Sequence, residues 1–158
     1  MTTALIGHEM AQRLEQVVPG SVEETNETDV WVKSEALSDV MRWLKEDKDL
    51  DMSFLNSVTG VDYIEFFEMV YHLTSIRHNQ SLVIKTRIFD REDPEVPSVI
   101  NLWRGADYQE REVWDLMGIR FKGHPNPKRI MLWDGFPGHP LRKDFIESPY
   151  PEGWPHGG

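Results

Sequence analysis

Three β-prone stretches in succession constrain this chain more than anything else in it. Met52 to Tyr63, Phe66 to Ile76 and Gln80 to Phe89 are apolar and suited to a pleated, half-buried surface. The first is interrupted near Thr59-Gly60, and Arg77-His78-Asn79-Gln80 reads as a hairpin turn between the last two. Successive strands joined this tightly pair antiparallel, and a sheet with one apolar face needs a covering layer. Upstream, Ile6, Met10, Leu14 and Val17 recur at helical spacing and stop at Pro19-Gly20. Ser34 is a good N-cap for a second helix from Glu35 to about Asp47. Its stripe is Ala36, Val40, Trp43 and Leu44, with Leu37 and Met41 beside it. Val30-Trp31-Val32 between the helices is extended, and residues 90–97 form a polar, proline-marked loop. The expected fold is α+β, an antiparallel sheet of about three to four strands with amphipathic helices on one side.

The character changes after Pro97. Ser98 can cap a short helix through Trp103, and a further helix from about Tyr108 to Met117 stops at Gly118, a C′ glycine. From Gly118 onward there are seven prolines in 41 residues and little periodicity. Residues 1–118 are therefore expected to form the α+β body. Residues 119–158 are expected to form an extended Pro-rich arm of the same unit, lying on something. Gly-His-Pro occurs twice in the arm, at 123–125 and at 138–140.

Composition removes several functions. The chain has 158 residues, the size of one domain, and 39% of them are hydrophobic, enough for a core. With 17 basic against 27 acidic residues the net charge is −10. That argues against nucleic acid, whose phosphates call for an excess of Lys and Arg, and against adsorption to an anionic membrane. Without cysteine the chain has no thiolate for an iron–sulfur cluster, a Cys-type zinc site or nucleophilic catalysis. The start MTTALIGHEM does not look like a secretory signal, and no stretch approaches the about 18 apolar residues that span a bilayer. G-x-G-x-x-G, G-K-[ST], G-x-S-x-G and HExxH are all missing. The six histidines form no tight pair: His124 and His139 each sit between Gly and Pro, and a turn begins near His78, separating it from His72.

On a helical wheel of residues 106–117, Ala106, Val113, Leu116 and Met117 share one face with Trp114 at its edge. Asp107, Arg111 and Asp115 lie opposite, where Arg111 can bridge to either carboxylate, and Glu112 lies apart from both. Glu110 falls on the apolar face, so its carboxylate must be paired, protonated or turned outward. Two readings stand: Asp107 and Glu110 form a capping box, or Glu110 pairs with an arginine of the following segment or of a partner. Further on, Arg142-Lys143-Asp144 keeps company with Trp133, Phe136, Leu141 and Phe145. Aromatic and Arg anchors in an aperiodic segment suit an interface.

The run Glu110-Arg111-Glu112-Val113-Trp114-Asp115-Leu116-Met117 is followed by His124-Pro125 and by Lys128-Arg129-Ile130-Met131. It resembles the signature of the complex I 30-kDa subunit family, which supplies the C subunit of bacterial NADH-quinone oxidoreductase and the J subunit of the photosynthetic complex. Gly138-His139-Pro140-Leu141-Arg142-Lys143-Asp144-Phe145 resembles the family's closing motif, and Pro97-Ser98-Val99, Trp103 and Tyr71-His72-Leu73 also match. The resemblance covers roughly residues 61–145. It implies a cofactor-free peripheral-arm subunit of a proton-translocating NADH-quinone oxidoreductase, with no catalytic, cofactor or metal residues of its own. Iron–sulfur clusters, quinone and FMN/NADH would belong to other subunits. The implied partners are the large hydrogenase-like D subunit and the cluster-bearing B subunit. The implied location is the cytoplasmic face of the cell membrane, held there by other chains. Related assemblies using ferredoxin or F420H2, or membrane-bound hydrogenases, employ an equivalent subunit. The chain ends soon after the closing motif, which reads as unfused.

Overall fold

The structure, a computed structural model, describes residues 1–146. Its elements run β1 (Thr3–Ala4), α1 (Gly7–Val17), β2 (Val22–Thr25), β3 (Asp29–Val32), α2 (Leu37–Glu46), β4 (Phe54–Asp62), β5 (Phe67–Ser75), β6 (Gln80–Ile88), β7 (Glu95–Pro97), α3 (Ala106–Met117) and β8 (Arg120–Lys122). The expected hairpins form the centre. β5 pairs antiparallel with both β4 and β6, and Tyr71 stands opposite Val58 on one side and Ile84 on the other. Alternation turns Phe67, Met69, Tyr71 and Leu73 to one face, where all are buried with Leu82, Ile84 and Ile88. β4 continues through Thr59-Gly60 without a break. Gly60 marks close packing instead: a Cβ there would lie 2.8 Å from Met117 Sδ and 3.1 Å from Val113 Cγ1 of α3.

The sheet is larger than expected, with six strands in the order β2-β3-β6-β5-β4 and β1 also on β6. It is mixed, not wholly antiparallel, because β3 and β1 join β6 in parallel. A parallel pair needs a long crossover, and between β3 and β6 the chain supplies α2 and the β4–β5 hairpin. The loop expected over 90–97 ends in β7, which pairs in parallel with β8 as a separate small sheet. Ser98 accepts the Ile100 N–H at 3.2 Å, but it caps a turn through Trp103 and not a helix.

The helices cover one face, as expected. Met10, Ala11 and Leu14 of α1 and Leu37, Val40, Met41 and Leu44 of α2 enter the same core as the sheet. The stripe of the first helix is narrower than its spacing implies, because Ile6 and Val17 are 51% and 48% exposed. Ser34 opens a 3-10 turn, Ser34–Ala36, without a side-chain cap. Trp43 lies at the core's edge, under Arg13 at 5.5 Å. On the opposite sheet face Trp31 donates to Glu68 at 2.9 Å, with Lys85 and Arg87 over its ring. Among the described residues no helix is long and apolar enough to cross a membrane.

Leu44 is fully buried in this core. Leu44→Ala is expected to lower unfolding free energy by about 2–5 kcal/mol. Ile6→Ala, at an exposed position, stays within about 0.5 kcal/mol. Chemical denaturation of both variants checks the pair.

Candidate functional site

α3 organises the carboxy-terminal region. Gly105 precedes it without a side-chain cap, so Asp107 does not cap the helix and no capping box forms. Gly118 ends it in the left-handed region at φ 77°, donating its N–H to Trp114 O at 2.8 Å. Glycine is required there twice over, because a Cβ would lie 2.6 Å from Cδ2 of His139.

Asp115 departs most from the helical wheel. It lies on the side opposite the apolar face yet has no exposed surface, because the chain folds back over it. One carboxylate oxygen accepts from Arg129 Nη1 at 2.8 Å. The other accepts the backbone N–H groups of Ile130, Met131 and Leu132 at 3.1, 2.8 and 2.9 Å. Burial opposes the charge of Asp115, but the three amides and Arg129 outweigh it and hold the carboxyl below the usual carboxylate range. Arg111 bridges to neither aspartate; its Nε donates to Lys128 O at 3.0 Å, fastening the same segment. The last carbonyls of a helix lack intrahelical partners, and the returning chain satisfies two of them. His139 Nδ1 donates to Asp115 O at 2.8 Å, and the Leu141 N–H donates to Leu116 O at 2.9 Å.

A second aspartate, Asp62 at the end of β4, fastens the closing motif. Arg91 forks onto it at 2.7 and 2.9 Å, and the backbone N–H of Lys143 donates to Oδ2 at 2.9 Å. The Arg91 guanidinium holds the Asp62 carboxyl well below its usual range, against the effect of burial. Arg142 clasps Asp144 at 2.9 and 3.1 Å and donates to Arg91 O at 2.8 Å. Arg91 and Arg142 both lie over the Phe67 ring, at 4.4 and 5.1 Å. Asp62 was not among the sequence candidates; its only signal was a carboxylate ending a strand that neighbours a buried Phe.

Glu110 is fully buried, belongs to no capping box and meets no arginine of the following segment among the described residues. Its carboxylate accepts from the Ser98 hydroxyl at 2.6 Å and from the Val99 N–H at 2.8 Å, both in the turn before α3. No Lys or Arg lies within ion-pair distance among the described residues; the nearest basic nitrogen is His124 Nε2 at 4.0 Å. Burial pushes the Glu110 carboxyl up to about 7, and the two hydrogen bonds offset this only in part. The residue borders a cleft of about 260 Å3 walled by Trp114, Phe121, His124 and Pro127, with Arg111 and Lys122 at its side.

The remaining sequence candidates are at the surface or in small contacts. Glu112 and Pro125 are exposed without a described side-chain partner, and Pro140 is half-buried. Phe145 stacks on Phe136 with centroids 6.2 Å apart. Met131, Trp133, Leu141 and Ile146 are large apolar groups with 40% or more of their surface exposed. Beyond β8, residues 123–146 are irregular but fastened to this chain's own α3 and β4 end; residues 147–158 of the expected arm lie outside the described residues. Among the described residues no group of His, Asp or Glu is arranged to hold a metal.

Residues 30–151 match the model of the respiratory-chain NADH dehydrogenase 30 Kd subunit. That span contains both aspartate clamps and Glu110. The chain is 40% identical to the C subunit of NADH-quinone oxidoreductase from Roseiflexus sp. (strain RS-1), covering 89% of this chain and 84% of that one. It is 45% identical to the C/D subunit of NADH-quinone oxidoreductase from Phocaeicola vulgatus, over 74% of this chain and 22% of the longer relative. A chain in the structure of the membrane-bound sulfane sulfur reductase, an archaeal respiratory membrane complex, superposes with a TM-score of 0.70 at 27% identity, covering 88% of this chain and 85% of that one.

Asp115→Asn leaves Arg129 without its counter-charge and is expected to cost about 3 kcal/mol, measured by denaturation, with cleavage by trypsin appearing near Lys128 and Arg129. A carboxyl whose folded pKa is raised binds its proton more tightly when folded. The stabilising contribution of Glu110 is therefore full below the ordinary value of 4.5 and fades as pH rises to about 7. Glu110→Gln is expected to flatten this part of the stability–pH curve, a difference on the order of 3 kcal/mol in the wild type. Melting curves at stepped pH read it out. The family match spans residues 30–151, most of the chain, and this chain belongs to the family of the respiratory-chain NADH dehydrogenase 30-kDa subunit.

Proposed function

We propose that this chain is a cofactor-free bracing subunit in the peripheral arm of a proton-translocating NADH-quinone oxidoreductase, holding the quinone-module subunits in place during electron transfer. One observation carries the reading. Apart from Glu112, the acids and arginines of the signature are occupied with shaping the chain itself, as in Asp115 with Arg129 and Asp144 with Arg142. Beside exposed Lys128, Asp134, Lys143 and Asp144, the shaped segment offers outward four large apolar side chains, Met131, Trp133, Leu141 and Ile146. Aromatic and aliphatic anchors on a rigid frame are the usual energetic centre of a protein interface. The partner this surface suits is the large D subunit, a reading supported by the relative named for both C and D, which joins the two names in one chain. The cluster-bearing B subunit would be the second neighbour. Residues 139–145 would then serve as frame and contact together, and attachment at the cytoplasmic face of the membrane would come through those partners.

The likeness to the sulfane sulfur reductase chain favours one alternative, an equivalent subunit in an assembly with another donor or acceptor, such as a ferredoxin- or F420H2-dependent enzyme or a membrane-bound hydrogenase.

Gentle solubilisation of native membranes, capture through this chain and mass spectrometry of the companions test the proposal. The large hydrogenase-like and cluster-bearing subunits, together with a flavin- and NADH-binding subunit, are the expected companions. The same set without the NADH-binding subunit favours the alternative, and recovery of the chain alone from the soluble fraction contradicts both. Met131→Asp combined with Leu141→Asp is expected to lower co-purification about tenfold or more. The same variant leaves the melting temperature of the chain nearly unchanged, since both side chains face outward.

A further inference from the structure

The two Gly-His-Pro repeats use their imidazoles in opposite senses. At the second, His139 Nδ1 meets the carbonyl of Asp115, which can only accept, so Nδ1 carries a hydrogen. At the first, the backbone N–H of Asn126 donates to His124 Nδ1 at 3.0 Å. That nitrogen must therefore offer its lone pair, and the hydrogen of His124 is on Nε2. Nε2 faces Asp107 O at 3.3 Å, Asp107 Oδ1 at 3.2 Å and Glu110 Oε2 at 4.0 Å. His124 is thus neutral in this arrangement by geometry alone, whereas His139 keeps its bond in either protonation state.

We propose that the turn from Gly123 to Pro127 is a latch released by acid, and that the turn from Gly138 to Pro140 is a clasp indifferent to it. A proton from solvent that binds His124 takes the Nδ1 lone pair. The imidazole gains one positive charge, and the Asn126 N–H, now facing another N–H, loses its acceptor. Asp107 Oδ1, 3.2 Å from Nε2, is the negative neighbour that holds the charged ring in place, while the Glu110 carboxyl, raised to about 7, has taken up its own proton in acid and adds no charge there. The other charged groups around the cleft moderate this pull. Arg120 of β8 is engaged with Asp93 and with Glu95 of β7, while Arg111 of α3 and Lys122 of β8 oppose a new positive charge. The ring therefore stays and the backbone beyond it moves. The turn keeps its ends, through His124 N–H to Phe121 O at 3.1 Å and Arg111 Nε to Lys128 O at 3.0 Å. What loses its hold on the ring is Pro125 to Pro127, tied from then on only through Asn126 O, which accepts the Lys128 N–H at 2.8 Å. Since Pro127 walls the cleft beside Glu110, release widens that cleft. At His139 the added proton goes to Nε2, which makes no hydrogen bond among the described residues, and both the Nδ1 bond to Asp115 and the Leu141 bond to Leu116 persist.

An NMR titration of the nitrogen-15-labelled full chain tests this, with side-chain nitrogen shifts reporting each histidine's protonation and amide exchange reporting each clasp. Asn126 exchange, corrected for its intrinsic rate, is expected to rise roughly tenfold or more as His124 protonates. Leu141 is expected to stay protected as His139 protonates. Continued protection of Asn126 beside a protonated His124 overturns the proposal, and so does simultaneous loss of protection at Leu141. In His124→Gln, which offers an acceptor but no titratable nitrogen, Asn126 protection is expected to be independent of pH. The same acid loss in that variant also overturns the latch. The wild-type titration decides by itself if the variant does not fold.

Discussion

The carboxylate of Asp115 is the interaction on which the carboxy-terminal third depends. Residues 129–132 make no helix or strand, so their amides have no ladder to join. Asp115 takes three of them on one oxygen and Arg129 on the other. A charged acceptor makes stronger hydrogen bonds than a neutral one, which lets one buried side chain do for an aperiodic segment what a neighbouring strand does elsewhere. The second consequence is positional. With 129–132 fixed, the chain arrives at the open end of α3, where His139 and Leu141 satisfy the carbonyls of Asp115 and Leu116. From there it reaches Asp62.

Charge is arranged differently at the four buried carboxylates of the described residues, Asp62, Glu68, Glu110 and Asp115. Three have cations within reach: Arg91, the Lys85 and Arg87 pair, and Arg129. Removing either partner of such a pair leaves an uncompensated charge, which makes these pairs specific restraints more than sources of net stability. Glu110 alone relies on hydrogen bonds from Ser98 and Val99. Burial, with no cation to offset it, raises its pKa, and it lies beside the turn whose geometry responds to acid. The arm's two histidine turns thus differ in role although their tripeptides are the same.

The central hairpins, the helices on one face and the stop at Gly118 were legible because each rests on local pattern: alternation, helical spacing and a C′ glycine. The parallel joining of β3 to β6 was not, since it depends on where a crossover lands and β3 is only four residues long. At the site, the bonding of individual residues was not legible. A helical wheel assigns Asp115 to solvent because it knows nothing of a segment 14 residues later folding back over it. Glu110 stands out on the wheel as anomalous, but its partners within the chain, Ser98 and Val99, lie in the preceding turn and not in a helix cap or the following segment. Asp62 escaped notice because its partners, Arg91 and the Lys143 amide, are distant in sequence.

If Asp115 does this work, the aperiodic segment is held as firmly as the helix it lies on. Native-state hydrogen exchange of the Ile130, Met131 and Leu132 amides in the full chain tests it most directly. Protection comparable to that of the Val113 and Met117 amides in α3 is the predicted result. Exchange at the rate of an unstructured peptide, with α3 still protected, would contradict it.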